Sequence, residues 1–565
     1  MRPDILILGG GSAGCVLAAR LSEDPDRRVV LVEAGRDISS ETMPPEIRSR
    51  YPGRAYLDVR NIWAGLTARM GASPGNRDDR MPRRYEQARL LGGGSAINAL
   101  MANRGAPADY DEWEALGADG WAWEDCLPYF RKLESDRDFA GPLHGTDGPI
   151  LVRRAPPERL SPFVQRVMQV LDARGHPIRP DQNGDWEDGT YVGAIAASDD
   201  GTRIPTSVAY LTSAVRARPN LSIRTDHLVE RILFAGNRAV GARIAPTDGG
   251  PAETILAGEI VVASGAIHSP ALLLRSGVGP GADLACLGIP LVAERPGVGR
   301  NLMEHPSIAV SAVLSKAGRT PCPDEHHEQA IWRFSSGLAG TPSGDMHGAI
   351  LSRSGWHSVG LRLGTIFFWV NKSHSRGELA LATPDPRAEP AIDFRMLSDP
   401  RDRERLKLAV RRGAEVLLDP AMADLCRHVF PTSYSPRVAR VAVSGRWNAL
   451  QRGALSASLD LSGPLVGALI TSVVTQGLTL GALLDDDAAL DDFVMRSVGG
   501  TWHPSGTCRM GRATDRLAVT DAQGRVHGTQ ALRVCDASLM PTIPRANTNV
   551  PTIMIAERIA DVMRS

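Results

Sequence analysis

The apolar run Ile5-Leu6-Ile7-Leu8 passes straight into Gly9-Gly10-Gly11-Ser12-Ala13-Gly14. No other feature restricts the fold of this chain as much. A short apolar run bounded by glycine reads as a buried strand. From about Ser12 to Ser22, Val16, Leu17 and Leu21 share a helical face, and Val29-Val30-Leu31-Val32 reads as a second strand. This is a βαβ opening, which implies a parallel sheet covered by helices. Gly9, Gly11 and Gly14 fit G-x-G-x-x-G. The first glycine permits the tight turn, the second admits backbone close to a pyrophosphate, and the third lets helix pack on strand. The helix N-terminus adds N–H donors and a positive dipole end. Glu33 follows nineteen residues after Gly14, where a carboxylate accepts hydrogen bonds from an adenosine ribose. Together these residues point to a dinucleotide held by Gly9, Gly11, Ser12, Ala13, Gly14, Glu33 and Ala34. Gly10, Ser12 and Gly14 also satisfy the G-x-S-x-G elbow of hydrolases. Their place on the first strand, the extra glycines and Glu33 fit only the nucleotide.

A chain of 565 residues has room for several domains at roughly 150 residues each. Lys+Arg and Asp+Glu both number 64, so the formal charge is zero. That excludes overall charge attraction to nucleic acid or an acidic membrane. Cys15, Cys126, Cys286, Cys322, Cys426, Cys508 and Cys535 are odd in number and form no C-x-x-C pair. They read as thiols of a reducing compartment, the cytoplasm, with neither a disulfide framework nor a cysteine metal site. The N-terminal run reads at once as a strand, not as the longer apolar core of a secretory signal. One stretch, Leu461 to Leu484, is uncharged, but glycines, threonines, Pro464 and Gln476 interrupt it. It is expected to be a buried segment and not a transmembrane helix.

Residues 36–88, rich in Arg, Pro and Gly, read as an irregular excursion. Glu259 to Ala263 reads as a strand, followed by a small-residue turn and a helix from Pro270 to Arg275. A last helix is expected over about Pro551 to Met563, with Pro551 at its first position, where the missing N–H costs nothing. The block 306–499 carries no dinucleotide signature and reads as a second domain.

Several blocks recur in a fixed order. They are GGGSAGCVLAARLSED within Gly9–Glu33, Arg89-Leu-Leu-Gly-Gly-Gly-Ser-Ala-Ile-Asn98, Gly265-Ala-Ile-His-Ser-Pro270 with Ser276-Gly-Val-Gly279, and Arg295-Pro-Gly-Val-Gly-Arg-Asn-Leu302. Near the C-terminus come Trp502-His-Pro-Ser-Gly-Thr507, Val534-Cys-Asp-Ala-Ser538 and Asn547-Thr-Asn-Val-Pro-Thr552. Over essentially the whole chain these blocks resemble the glucose–methanol–choline (GMC) oxidoreductases. Within that family, Tyr85 to Leu91, Asp109 to Ala118 and Phe368 to Lys372 look closest to the 5-hydroxymethylfurfural oxidase group.

The resemblance implies a mixed α/β architecture. A Rossmann-like FAD-binding domain would use 1–155, 205–305 and 500–565. A discontinuous substrate-binding domain on an antiparallel sheet would use 156–204 and 306–499. FAD is the implied cofactor. Relatives that tether it covalently carry histidine at the position of Ile97, so non-covalent FAD is expected. Leu91, Gly93, Gly94, Ser95, Asn98, Ala99 and Met101 would lie along it. Val229 would meet the adenine, Asp536 and Ala537 the ribityl–phosphate part, and Asn549, Pro551 and Thr552 the flavin at a helix N-terminus, whose dipole favours a reduced, anionic ring.

His503 matches the family's catalytic histidine, a base for the hydroxyl proton while hydride leaves the carbinol carbon for flavin N5. Asn549 matches the second member of the catalytic pair, and Asn547 reads as turn chemistry. His268 and His305 read as structural. Phe367, Trp369 and Trp502 could wall a flat substrate, and Arg545 either favours a carboxylated substrate or pairs with a nearby acid. The implied reaction oxidises a primary alcohol, aromatic or furan-type, to the aldehyde and possibly to the acid. O2 or a quinone-type carrier would be the electron acceptor. A hydroxynitrile lyase on the same fold is a minor alternative. No metal ligand set, nucleic-acid partner or transmembrane segment is expected, and the sequence leaves the oligomeric state open.

Overall fold

In the computed structural model, residues 2–71, 81–432, 443 and 445–565 are described. Two sheets organise them. The first is five-stranded and parallel, in the order Leu532–Val534, Glu259–Val262, Ile5–Leu8, Val29–Val32, Leu221–Arg224. Its central strands are buried on both faces, which is why they read as unbroken Val/Ile/Leu runs. The helix Ser12–Leu21 follows the Gly-rich turn and packs along the C-terminal helix Asn549–Arg564. Glu557, fully buried between them, accepts from Arg20 and from the Tyr210 hydroxyl.

Two helix starts differ from expectation. The helix expected from Pro270 begins at Gly265 and runs to Arg275, with Pro270 inside it. Proline lacks the N–H that would bond the carbonyl four residues back, and the Thr507 hydroxyl donates to that carbonyl, on Ala266, at 2.6 Å instead. The last helix begins at Asn549, so Pro551 is its third residue, still in the first turn where N–H groups have no intrahelical partner.

The second sheet has six strands, all antiparallel, in the order Cys426–Thr432, Ser307–Leu314, Leu363–Val370, Met346–Leu351, Glu328–Phe334, Gly189–Val192. Helices Pro400–Leu417 and Pro162–Ala173 cover its back: a Cβ on Gly413 would stand 2.7 Å from the Phe368 ring, and one on Gly364 2.7 Å from Phe163. Directly opposed residues share a face. The front therefore carries the row Ser307, Trp369, His347, Arg333 and, two residues along, the row Ala309, Phe367, Ala349, Ile331, Tyr191.

The parallel strands all come from the stretches 1–155, 205–305 and 500–565, and the six antiparallel strands from 156–204 and 306–499. A smaller sheet crosses that division, joining Thr67–Gly71 and Arg83–Arg84 to Ala391–Met396 and Glu378–Ala380. The stretch 36–88 is thus not wholly irregular; its residues 72–80 lie outside the described ones.

Leu461 to Leu484 is not a buried segment. Gly463, Pro464 and Gly477 break it into the helices Val466–Val473 and Leu480–Asp485. Only Val466, Ile470, Thr475, Leu480 and Leu483 are buried, while Leu461 and Leu465 are 84% and 70% exposed. Among the described residues no helix is long and apolar enough to cross a membrane.

Candidate active site and nucleotide cleft

A cleft opens above the carboxyl ends of the parallel strands, where ligands bind in sheets of this kind. Gly9, Gly11, Ser12, Ala13, Glu33, Ala34, Gly93, Gly94, Val229, Asp536, Ala537 and Thr552 line it. Gly9 has φ +113°, and a Cβ on Gly14 would lie 1.9 Å from the Gly9 carbonyl oxygen, so the turn closes only around glycine. Glu33 is buried and accepts from Gly10 N at 2.8 Å and Gly35 N at 2.7 Å, one per carboxylate oxygen. A carboxylate oxygen has further acceptor capacity, which suits a ribose. Asp536 accepts from Gly265 N, at the start of a helix, from the Ser269 hydroxyl and from Ser538 N, and burial raises its pKa. These features fit the nucleotide part of FAD.

Other expected cofactor residues serve the frame of the cleft. Leu91 packs beneath the turn at Gly10. The Ser95 hydroxyl bonds Gly92 O and Thr206, and Asn98 is held by Arg203 and by Leu100 N. Ala99 O accepts from His326 Nε2, and Met101 packs with Tyr191 and Ile331 against the front of the antiparallel sheet. Pro551 is buried in the first turn of the last helix. Asn549 Oδ1 accepts from the Ser12 hydroxyl at 2.7 Å, tying that helix to the Gly-rich turn. Ile97, at the end of a short 3-10 turn, is partly buried and offers no nucleophile for a covalent bond.

Sequence reasoning missed Trp63, Gln87, His227 and Arg275, which also line the cleft, and it gave His268 a structural role although that residue lines it too. The Trp63 and His268 rings lie 4.3 Å apart, Arg89 stands over Trp63, and His268 Nε2 bonds Glu389. His268 stood in a quoted block and had a signal; Trp63 had none.

His503 is half-buried at the meeting of the two sheets. Its hydrogen bonds fix its tautomer. His305 Nε2 faces the Pro544 carbonyl at 3.2 Å and must carry a proton there, leaving Nδ1 as an acceptor. The Thr501 hydroxyl donates to Glu304, so its oxygen is also free to accept. His503 Nδ1 lies 2.9 Å from His305 Nδ1 and 2.7 Å from Thr501 Oγ1, and therefore bears the proton. Nε2 keeps its lone pair, with the Asn547 amide nitrogen 3.2 Å away as donor. Burial, then His305, hold the His503 pKa well below the ordinary value, so the ring is a neutral base.

Asn547, not Asn549, is thus the partner of His503, and its Oδ1 is fixed by the Asn103 amide. The structure differs from the expected pair on this point: Asn549 lies two residues later, at the start of the last helix, and faces Ser12. Glu304 anchors the loop by accepting from the backbone N–H groups of His305 and His503 and the hydroxyls of Thr501 and Tyr85. Trp502 adopts φ +61°, costing about 1 kcal/mol or more, and this turns the His503 N–H toward Glu304.

Trp369 stands 6.4 Å from His503, ring to ring, and Phe367 stands 5.9 Å from Trp369. Trp502 makes no ring contact with either; it is 49% exposed and its indole donates to Glu86. Arg545 is no free substrate anchor. It is buried, its Nε is 3.1 Å from Asp109 Oδ1, its Nη1 donates to Ser343 O, and Lys372 shares the same aspartate.

Two models of the family described as GMC oxidoreductase match residues 3–307 and 373–556. The chain is 42% identical to 5-(hydroxymethyl)furfural oxidase of Methylovorus sp. (strain MP688), covering 99% of this chain and 98% of that protein. It is 34% identical to an oxygen-dependent choline dehydrogenase of Pseudomonas aeruginosa (strain UCBPP-PA14), covering 99% and 94%. Among solved structures it resembles pyridoxine 4-oxidase from Mesorbium loti, with a TM-score of 0.82 and 27% identity over 100% and 99% of the two chains.

Proposed function

The chain belongs to the GMC oxidoreductase family of FAD-dependent alcohol oxidoreductases, and from that premise we propose that it oxidises primary alcohols on aromatic or furan-type rings to aldehydes, and on to acids through the hydrated aldehyde, with O2 as electron acceptor. The observation that carries the chemistry is the lone pair of His503 Nε2 beside the Asn547 amide. A substrate hydroxyl that replaces this hydrogen bond gives its proton to Nε2 and accepts from the amide, which stabilises the developing alkoxide. His305 and Thr501 hold the ring in the acting tautomer. FAD, when bound, supplies the acceptor for the carbinol hydrogen, held without a covalent bond since Ile97 has no nucleophile. Phe367 and Trp369 set a flat substrate against His503. Likeness to the furfural oxidase supports the substrate class and the acceptor.

The test is anaerobic mixing of the yellow holoenzyme with 5-hydroxymethylfurfural, benzyl alcohol and choline, followed by air. Bleaching by the ring alcohols, with recovery and peroxide on aeration, is expected. Bleaching that persists in air would replace O2 with a quinone-type carrier. No bleaching by any alcohol would overturn the reading.

A further inference from the structure

The front row of the antiparallel sheet continues past the aromatic wall. His347 sits directly opposite Trp369 and stacks on it, with ring centroids 3.8 Å apart and planes 13° apart. Arg333 sits directly opposite His347 on the next strand. Two interstrand spacings, about 10 Å, separate the backbones of Trp369 and Arg333. A ring laid along this row from His503 would extend past Trp369 and His347 toward Arg333.

Arg333 is buried and, among the described residues, has no carboxylate within ion-pair distance. Its guanidinium donates to Gln182 O at 2.8 Å and Glu187 O at 3.3 Å, and lies 3.7 Å over the Trp186 ring. Several buried arginines elsewhere are paired, Arg104 with Glu134, Arg154 with Asp136, Arg405 with Asp345 and Asp402, whereas Arg353 bonds the carbonyls of Gly355 and Pro323 and stands over Tyr51. Arg203, also without an acid, donates to Ile47, Ser95 and Asn98. A buried cation lacking a counter-charge is costly to keep. Beside Arg333, His347 Nε2 and Trp186 Nε1 are buried donors or acceptors with no hydrogen bond inside the protein. Burial and Arg333 hold His347 neutral, so it has one N–H to donate.

We infer that Arg333 and His347 form a recognition site for an anionic group, a carboxylate, at the end of the substrate ring remote from the carbinol. This rests on the alcohol-oxidation reading and narrows its substrate class to carboxylated ring alcohols. Arg545, compensated by Asp109, leaves this role to Arg333.

The test compares 4-(hydroxymethyl)benzoate with 4-(hydroxymethyl)benzamide, of the same shape but uncharged. Wild-type kcat/KM is expected to favour the carboxylate by about 10-fold or more, the range for a hydrogen bond to a charged group. Arg333→Gln should remove that preference, chiefly through KM, and leave the amide within about threefold; Arg333→Lys should restore part of it. Equal use of both substrates by the wild type, or an equal loss for both in Arg333→Gln, would overturn the inference. Should Arg333→Gln not fold, the wild-type holoenzyme titrated with benzoate and benzamide, read by the flavin absorbance, decides the matter without turnover. Tighter binding of benzoate, weakened by salt, supports the site, and equal binding refutes it. Flavin bleaching by the amide substrate tests the parent reading separately.

Discussion

The nucleotide cleft and the front of the antiparallel sheet are built by different means. The cleft is built largely on backbone, at glycines, strand ends and helix N-termini, gathered from short contiguous blocks between Gly9 and Thr552, with the side chains of Trp63, His268 and Arg275 at its walls. The substrate face is made of side chains lent by four strands between Ser307 and Val370, aligned only by register. A chain can therefore keep its cofactor site while its substrate face changes one side chain at a time.

Substitutions on either side of that divide sharpen it. His503→Ala should slow flavin reduction by about 10²- to 10⁴-fold with FAD still bound, read by anaerobic stopped flow. Loss of the flavin instead would show that the base also builds the cleft. Asn547→Ala removes one donor from the developing alkoxide and should cost about 10²-fold in kcat. Asn549→Ala, which loses only the tie to Ser12, should stay within about threefold; the reverse ranking would restore Asn549 as the catalytic partner. Gly14→Ala acts on the other side. Its methyl collides with the Gly9 carbonyl, so a loss of about 3 kcal/mol is expected, visible as a lower melting temperature and a lower flavin-to-protein absorbance ratio. Unchanged flavin content would contradict the backbone account of the cleft.

The two regions also divide the response to pH. His503, His347 and His305 are held neutral by burial, His305 down to about 3. In the unfolded chain they titrate near 6.5. Their contribution is full above that value and is lost as pH falls below it, by about 1.4 kcal/mol per pH unit for a fully buried group such as His305. His144 is the opposite case. Hydrogen bonds that it donates to Asp136, Asp181 and Glu134 overcome its burial and raise it to about 10, so its contribution is full below 6.5 and fades as pH rises toward 10. Melting temperature should peak near neutrality. A flat profile from pH 6.5 to 5 would show that the histidines at the site are already solvated.

How much could be read from the chain follows the same divide. The turn at Gly9–Gly14, Glu33 and the pair of strands that frame them were legible because they lie within thirty residues of one another and obey local rules. His503 was legible as part of a contiguous block. The choice between Asn547 and Asn549 was not, since it depends on which of two asparagines precedes the first turn of a helix, and Pro551 suggested a start two residues too late. Arg545 looked available because nothing nearby in sequence announces Asp109. Arg333 and His347 carried no signal at all: an arginine and a histidine on separate strands become neighbours only when the register is set.

The parallel sheet sets Leu532–Val534 beside Glu259–Val262, and the Ser12 hydroxyl meets Asn549. During synthesis, then, the Gly-rich turn leaves the ribosome more than five hundred residues ahead of the strand and helix that finish its cleft. Until those arrive, an apolar sheet edge and the face of the helix Ser12–Leu21 stay uncovered. Cofactor capture is for this reason a late event, and a chain interrupted in its last tenth is a natural client for chaperones rather than a weak enzyme.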